Sequence, residues 1–595
     1  MQAALSTPLL LLFAFLVAIW CGYGLVSFLM PQEYRQYQLM AMPTTGYLAF
    51  CLLTVVVSGN FGLSVTIAVW LAFASLSIVT AYALLRENKL RALSAVLKQL
   101  PTSVAVLVPT ILVILWPLLY QGAELYLGSV NLDFFQSLIF QVILRQHDLS
   151  VFSEYALPVG NASTEWAARA WPVTNQARFG GVMFSYLLES LTFMSAKSSL
   201  TVAIATFALC VPWSIFFFSR VVFGSTERVA ICSGVLAGVS APVALGFMFT
   251  LVGQGSAMPV LPLALAILYA CLTAPSIRTS VYSAILIWGL FLLYAAMLPF
   301  VFAPMGLLAV YLLARRTLSP LYALRLAAAV IVVGVVVWGG MVADLRGFLS
   351  GLSQISTALS GTVFFVDFLT EMFFVYLFGV TSYTSGSSVF YWLVSQHAYG
   401  GSGWKYALTV AFMLVVFVAA SSTAWWRRQE VHARRICVAS ICVVYTVVWA
   451  YFTFAHPYGY SVFKMAMWFQ FLLLPIIAYG LAWLWSAPTG RYSQLAARSA
   501  ATLFGTLFVV TNLAASVDYG RLSFGDNRQR GFIANTFGHG GNPDIASLRA
   551  SIAPLVSPEQ TIGLGFTDTL QNHWAAYGLL GGGQATCDEP CSTGR

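Results

Sequence analysis

The chain has 595 residues, of which 59% are hydrophobic and only 8% charged. Soluble proteins carry about a quarter charged residues, so the composition excludes a water-exposed globule and predicts an all-α polytopic membrane protein. The net charge of +9, from 29 basic and 20 acidic residues, does not call for nucleic acid. In a membrane chain such a surplus sits in short loops and fixes orientation.

Apolar runs near the roughly 20 residues that span a bilayer recur along the whole chain. They are too long and continuous for barrel strands, so they read as helices. The runs fall at 8–29, 44–59, 62–85, 103–120, 198–219, 229–252, 257–274, 280–298, 300–314, 326–343, 406–426, 436–455, 465–486 and 500–517, which gives about 12–14 transmembrane helices. Within 280–314, Pro299 and Pro304 mark either a turn between two helices or a kink in one. Leu9 to Met30 lacks a basic leader and is too long for a signal-peptide core, so it reads as a retained span.

Basic residues cluster in the short connections: Arg86, Lys89, Arg91 and Lys98; Arg220 and Arg228; Arg278; Arg315, Arg316 and Arg325; Arg427, Arg428, Arg434 and Arg435; Arg491 and Arg498. With these spans they all fall on one side, which the positive-inside rule makes cytoplasmic. The chain then divides into N-terminal transmembrane helices (1–120), a first large periplasmic loop (121–197), central transmembrane helices (198–343), a periplasmic or interfacial segment (344–405), C-terminal transmembrane helices (406–517) and a periplasmic tail (518–595).

The first loop carries six acids (Glu124, Asp133, Asp148, Glu154, Glu165, Glu189) against four bases. In the middle segment, Phe364 to Phe378 is apolar and aromatic, yet Asp367 and Glu371 share one helix face. It reads as an interfacial or re-entrant helix whose acids face water or a cavity, and a pair of short crossings would keep the same parity. The tail reads as a small α/β-like unit, with a helix opened by Asp544 and a strand at Thr561–Phe566. Seven cysteines lie in apolar spans as small hydrophobes. Cys587 and Cys591 instead suit a local disulfide on the oxidising side.

No phosphate-cradling glycine loop, zinc spacing or nucleophile elbow is present, and Asn161-Ala-Ser163 is a weak glycosylation sequon. The informative stretch is Glu124-Leu-Tyr-Leu-Gly-Ser-Val-Asn-Leu-Asp133-Phe-Phe. Two carboxylates stand just past a membrane helix, where a neighbouring low-dielectric region raises a carboxyl's pKa toward that of a useful base. Asp133 reads equally as a solvated loop acid or as a cap for a helix opened by Phe134. His147-Asp148 is a base–orienter pair or two ordinary loop residues.

Asn131-Leu-Asp133-Phe-Phe resembles the early outer-loop signature of bacterial GT-C type glycosyltransferases, which draw sugars from polyprenyl-phosphate carriers. Arg178-Phe-Gly-Gly181, Tyr458-Gly-Tyr-Ser-Val-Phe-Lys464, Ile562-Gly-Leu-Gly and Trp574-Ala-Ala-Tyr577 are similar to other segments of such enzymes. Many members show two adjacent acids, whereas Leu132 and Phe134 flank Asp133 here; either Glu124 or Asp148 would serve as the second carboxylate, or the enzyme would use one.

The resemblance implies a bacterial inner-membrane enzyme with a periplasmic active site. Asp133 would be the general base, with Glu124 beside it. Arg169, Arg178, His456 and Lys464 would bind the donor phosphate, and Asp367 with Glu371 would line the acceptor or cation groove. The implied partners are a polyprenyl-phosphate-linked sugar, a glycan or lipid-linked acceptor, and the bilayer. The resemblance names no definite cofactor, and a divalent cation is the one candidate. Read from its residue type, Lys464 also fits a lysine that snorkels to the headgroups.

Two other readings use the same composition. A lipid-linked polysaccharide polymerase or ligase favours a large late outer loop with essential arginines. A transporter or flippase favours ionisable residues in mid-span and repeated halves, neither of which the sequence displays.

Overall fold

The computed structural model describes residues 2–86, 89–123, 126, 134, 137–138, 140–141, 180–248, 251–337, 432–455, 459–486, 491–522, 561–564 and 584–587. Ten helices among them are long and apolar enough to cross a membrane, and a bent pair makes up to eleven. The described spans are therefore those of an all-α polytopic membrane bundle, and the described tail residues add a short strand pair. Large apolar side chains such as Leu12, Leu16, Ile78, Leu85, Ile331, Val332, Val335 and Leu503 remain exposed on its outside. A belt of that kind cannot face water and belongs in hydrocarbon.

The helices are α1 (Gln2–Leu29), α2 (Gln38–Phe61), α3 (Val65–Arg86), α4 (Lys89–Pro109), α5 (Trp116–Gln121), α6 (Gly180–Thr192), α7 (Ala196–Val221), α8 (Glu227–Gly238) and α9 (Ala241–Met248). There follow α10 (Val252–Ala257), α11 (Val260–Thr273), α12 (Ile277–Tyr294), α13 (Pro299–Ala314), α14 (Pro320–Val337), α15 (His432–Ala450), α16 (Gly459–Ser486) and α17 (Arg491–Leu522). Their starts are written locally. Ser195 accepts from the Ser198 amide at 3.2 Å to cap α7, and Ser276 accepts from the Thr279 amide at 3.1 Å to cap α12.

Several expected spans change form. The run 103–120 is a shorter apolar helix, Lys98–Ile114, whose last turn widens to a π-helix at Thr110–Ile114 before α5 begins. The run 229–252 is the bent pair α8 and α9, which meet at 43°. In 280–314, α12 ends at Tyr294, a 3-10 turn covers Ala295–Met297, and Pro299 opens α13. Proline suits that position because its missing N–H has no helical partner there. Pro304 lies inside α13. The run 406–426, the middle segment and the tail helix from Asp544 lie outside the described residues. In the tail, Thr561–Leu564 pairs in parallel with Gln584–Cys587. The Cys587–Cys591 expectation also lies outside, while the seven span cysteines are free thiols.

Helix α7 is the axis of the bundle, buried almost throughout its length. It packs on α1, α2, α6, α8 and α11. The closest approach is between α1 and α2. A Cβ on Gly22 would overlap the Met42 carbonyl oxygen, and one on Gly46 would overlap that of Ala18. Association in lipid depends on such close packing of small residues. Gly46→Val is accordingly expected to force α1 from α2 and to lower the unfolding temperature in detergent by several degrees; a Gly306→Val control, where the site is open, should not.

The basic residues gather at one end of the bundle. Arg86 lies over the Phe28 ring at 5.9 Å, Arg35 donates to the Ser27 carbonyl at 3.2 Å, and Arg220 hydrogen-bonds the Tyr37 hydroxyl. Arg434 packs on the turn at Gly224, and Arg498 stacks on Trp485 at 5.6 Å. The opposite end carries Tyr126, Glu189, Tyr294 and Lys464.

Candidate functional site

Helix α16 enters the bundle at the end opposite the arginines, and Lys464 sits just over one turn inside it. A lysine in an apolar run ordinarily extends to the headgroups. Lys464 instead turns inward and is only 8% exposed. Its Nζ donates to the Tyr294 hydroxyl at 2.7 Å and lies 5.4 Å from that ring's centroid.

Aromatic rings complete the surroundings. Tyr294 meets Trp468 edge-on at 5.7 Å, and Trp468 meets Phe300 edge-on at 5.3 Å. Phe300 packs on Tyr445 at 4.5 Å. Lys464 and Trp468 are four residues apart and so share one face of α16. The buried Trp468 indole Nε1 has no acceptor among the described residues. An ammonium and an indole donor thus lie on the same helix face in a water-poor, aromatic region. In such a medium a positive charge attracts an anion far more strongly than it does in water.

The break between α12 and α13 is what brings Tyr294 and Phe300 to this face. One unbroken helix over 277–314 would run 1.5 Å per residue past α16 and carry the pair apart along it. The proline noted in the sequence therefore has a positional consequence. Tyr294 and Trp468 themselves were not singled out, because aromatic residues in apolar runs are usually core.

Asp133, Glu124, Arg169, Arg178, His456, Asp367, Glu371, His147 and Asp148 all lie outside the described residues. Described residues lie on both sides of Asp133. Tyr126 is fully buried; its hydroxyl donates to the Met248 sulfur at 3.2 Å and its ring stacks on Phe247 at 5.3 Å. Phe134, Leu138, Phe140 and Gln141 are helical and buried. Tyr126, before Asp133, is thus anchored beside α9, while Gln141, after it, is held by α6 and α7. Helix α9 itself adjoins α16: a Cβ on Gly246 would meet Met258 Sδ at 3.1 Å and Met467 Cε at 3.6 Å.

A second polar cluster at this end involves Glu189, which the sequence reading counted but did not assign. The Gln141 amide donates to Glu189 at 2.6 Å and to Ser199 at 3.0 Å, and the Ser185 hydroxyl donates to the Gln141 oxygen at 2.7 Å. Every polar atom of the Gln141 side chain is engaged, so this cluster joins Gln141 to α6 and α7. The signal was a lone carboxylate after the apolar run Val182–Leu188. Gly180 and Gly181, from the Arg178-Phe-Gly-Gly motif, start α6 where neighbours come close: a Cβ on Gly181 would lie 3.1 Å from the Ser256 hydroxyl.

The bent pair supplies a third polar centre. Breaking a helix at Val239–Ser240 frees backbone groups that lipid cannot satisfy. The Ala241 amide donates to Asn512 Oδ1 at 3.0 Å, Ser516 donates to the Val239 carbonyl at 3.3 Å, and Ser240 donates to Gln470. Asn512 in turn donates to the Phe508 carbonyl at 2.9 Å. Replacing it with leucine orphans a buried amide, a loss worth about 1–3 kcal/mol. Asn512→Leu should therefore unfold at a lower temperature than wild type, while Asn512→Asp, which keeps the accepting oxygen, should lose less.

The basic end, by contrast, holds no candidate from the sequence reading. No protein-family model matches this chain, and a search of the curated proteins finds no match.

Proposed function

We propose that this protein is a GT-C type glycosyltransferase of the bacterial inner membrane. It would move a sugar from a polyprenyl-phosphate donor to a glycan or lipid-linked acceptor at the periplasmic face. The observation that carries the reading is Lys464, an ammonium buried against Tyr294 at the end of the bundle away from the basic loops. Lys464 opens the apolar span Lys464–Ser486, where a lipid-borne phosphate at the outer leaflet's boundary would reach it. As the sugar leaves, the carrier phosphate gains negative charge, and a preorganised cation in a dry site stabilises that charge.

Asp133 is the proposed general base, taking the proton from the acceptor hydroxyl as it attacks the anomeric carbon. Glu124 is its proposed companion. Arg169, Arg178 and His456 are proposed as further phosphate ligands, and Asp367 with Glu371 as the acceptor or cation groove.

A transporter is the reading with a specific observation in its favour, since broken spans with polar side chains in the bundle are where transporters bind substrate. Here those side chains close the break themselves, which suits a scaffold better than a binding site. The test is purified protein in detergent, given a panel of polyprenyl-phosphate-linked sugars and mixed glycan acceptors. Sugar transfer with release of polyprenyl phosphate is expected. Movement of intact lipid-linked sugar across vesicles, with no transfer, would establish transport instead.

A further inference from the structure

At the basic end, two arginines converge on one tight turn. The loop from α7 to α8 reverses at Gly224, whose φ is +60°. Arg220 Nη1 donates to the carbonyl of Ser225, its Nη2 donates to the Tyr37 hydroxyl, and its guanidinium lies 4.6 Å over the Tyr37 ring. The Arg434 guanidinium lies directly on Gly224, where any Cβ would overlap it. Arg434 is also within hydrogen-bonding reach of the Tyr269 hydroxyl. Tyr34, packed edge-on to Phe217 at 6.2 Å, lies within the electrostatic reach of Arg434.

Among the described residues the charges here do not balance. The described carboxylate that acts on this tyrosine cluster is Glu33, exposed and bonded to Tyr34. Two guanidiniums therefore face one carboxylate, and Arg35, two residues from Glu33, adds a third. All three arginines are partly buried. The Nε atoms of Arg35 and Arg220 are both out of water and have no acceptor among the described residues. Buried donors without acceptors are rare enough to need an explanation. The positive-inside bias accounts for arginines at this end, but exposed side chains such as Arg325 satisfy it; it gives no reason to stack two against a glycine turn among tyrosines.

We infer that Arg220 and Arg434, with Tyr37 and Arg35 at the rim, form a site for the phosphate of an anionic phospholipid in the leaflet at this end. Guanidinium forks match phosphate oxygens in pairs. Basic pockets between membrane helices are recurrent headgroup sites. One phosphodiester supplies the negative charge the cluster lacks, and its acyl chains would extend along the exposed apolar surface of the bundle. The lipid would tie α7, α15 and the Gln32–Tyr37 turn together, at the opposite end from the proposed transfer site and independently of it.

The test uses the purified full chain in mild detergent. Phosphatidylglycerol and phosphatidylcholine are added as mixed micelles, and bound lipid is measured by native mass spectrometry alongside the unfolding temperature. Wild type should prefer phosphatidylglycerol, and Arg434→Gln and Arg220→Gln should each reduce that preference about fivefold. Arg325→Gln should leave it unchanged, and Arg434→Lys, which keeps charge but not the fork, should fall between. Equal retention of both lipids by wild type would overturn the site, even if every variant misfolded. So would an equal loss in Arg325→Gln, which would mark a diffuse field. Stabilisation by inorganic phosphate at the same concentration as the lipid would overturn the lipid assignment in favour of a free anion.

Discussion

Lys464→Met should reduce sugar transfer from a polyprenyl-phosphate donor by about 10²–10³-fold, the cost of removing one preorganised charge-stabilising donor. That corresponds to about 3–4 kcal/mol of lost transition-state stabilisation. Methionine fills much of the lysine volume, so the aromatic surroundings of Tyr294, Trp468 and Phe300 should persist. A lysine that merely props Tyr294 would predict something different: Tyr294→Phe would then match Lys464→Met in activity and in unfolding temperature. The proposed role instead predicts that Tyr294→Phe loses far less, and that Lys464→Arg recovers part of the rate. The kinetic split is informative too. If the charge acts on the leaving phosphate, kcat should fall more than KM rises. A variant that transfers sugar at the wild-type rate would remove Lys464 from the mechanism.

Asp133→Asn should lower turnover by about 10²–10⁴-fold, the usual contribution of a general base. The asparagine keeps the shape and loses the proton acceptor. The pH profile gives the sign. A general base works only when deprotonated, so wild-type kcat/KM should fall on the acid side as Asp133 takes up a proton. In Asp133→Asn the residual rate should lose that acid limb. Glu124→Gln separates the two carboxylates: a shared role predicts a loss of similar size, and a companion role a smaller loss with the acid limb kept. Full turnover by Asp133→Asn would end its assignment as base.

Spans were legible where composition alone decides them. Runs such as 8–29 and 465–486 match helices within a few residues, because about 20 apolar residues without charge have few alternatives. The break in 229–252 was written locally as Gly238-Val-Ser240-Ala-Pro242, a stop, a cap and a proline in succession. Its neighbours are so apolar that averaging over a span length hides it. The partners that make the break tolerable, Gln470, Asn512 and Ser516, come from helices more than 200 residues away. No local pattern could have named them.

The candidate site divides in the same way. Lys464 stood out as a charge inside an apolar run. Its burial, and its partner Tyr294 170 residues earlier, depend on how α12 ends, which is a tertiary matter. Gly22 and Gly46 likewise look like any glycines in apolar helices. Only the crossing of α1 and α2 makes each one essential.

The bent pair also sets a clock. Ala241 and Asn512 are 271 residues apart. At about 5–20 residues per second of synthesis, roughly 14–54 s separate the two reaching the membrane. For that interval the backbone at Val239–Ser240 lacks the side chains that later hold it. The nascent segment must wait as a straighter helix, beside water, or in the care of the insertion machinery. Its bend is therefore a late event in biogenesis, made only when the last described helix arrives.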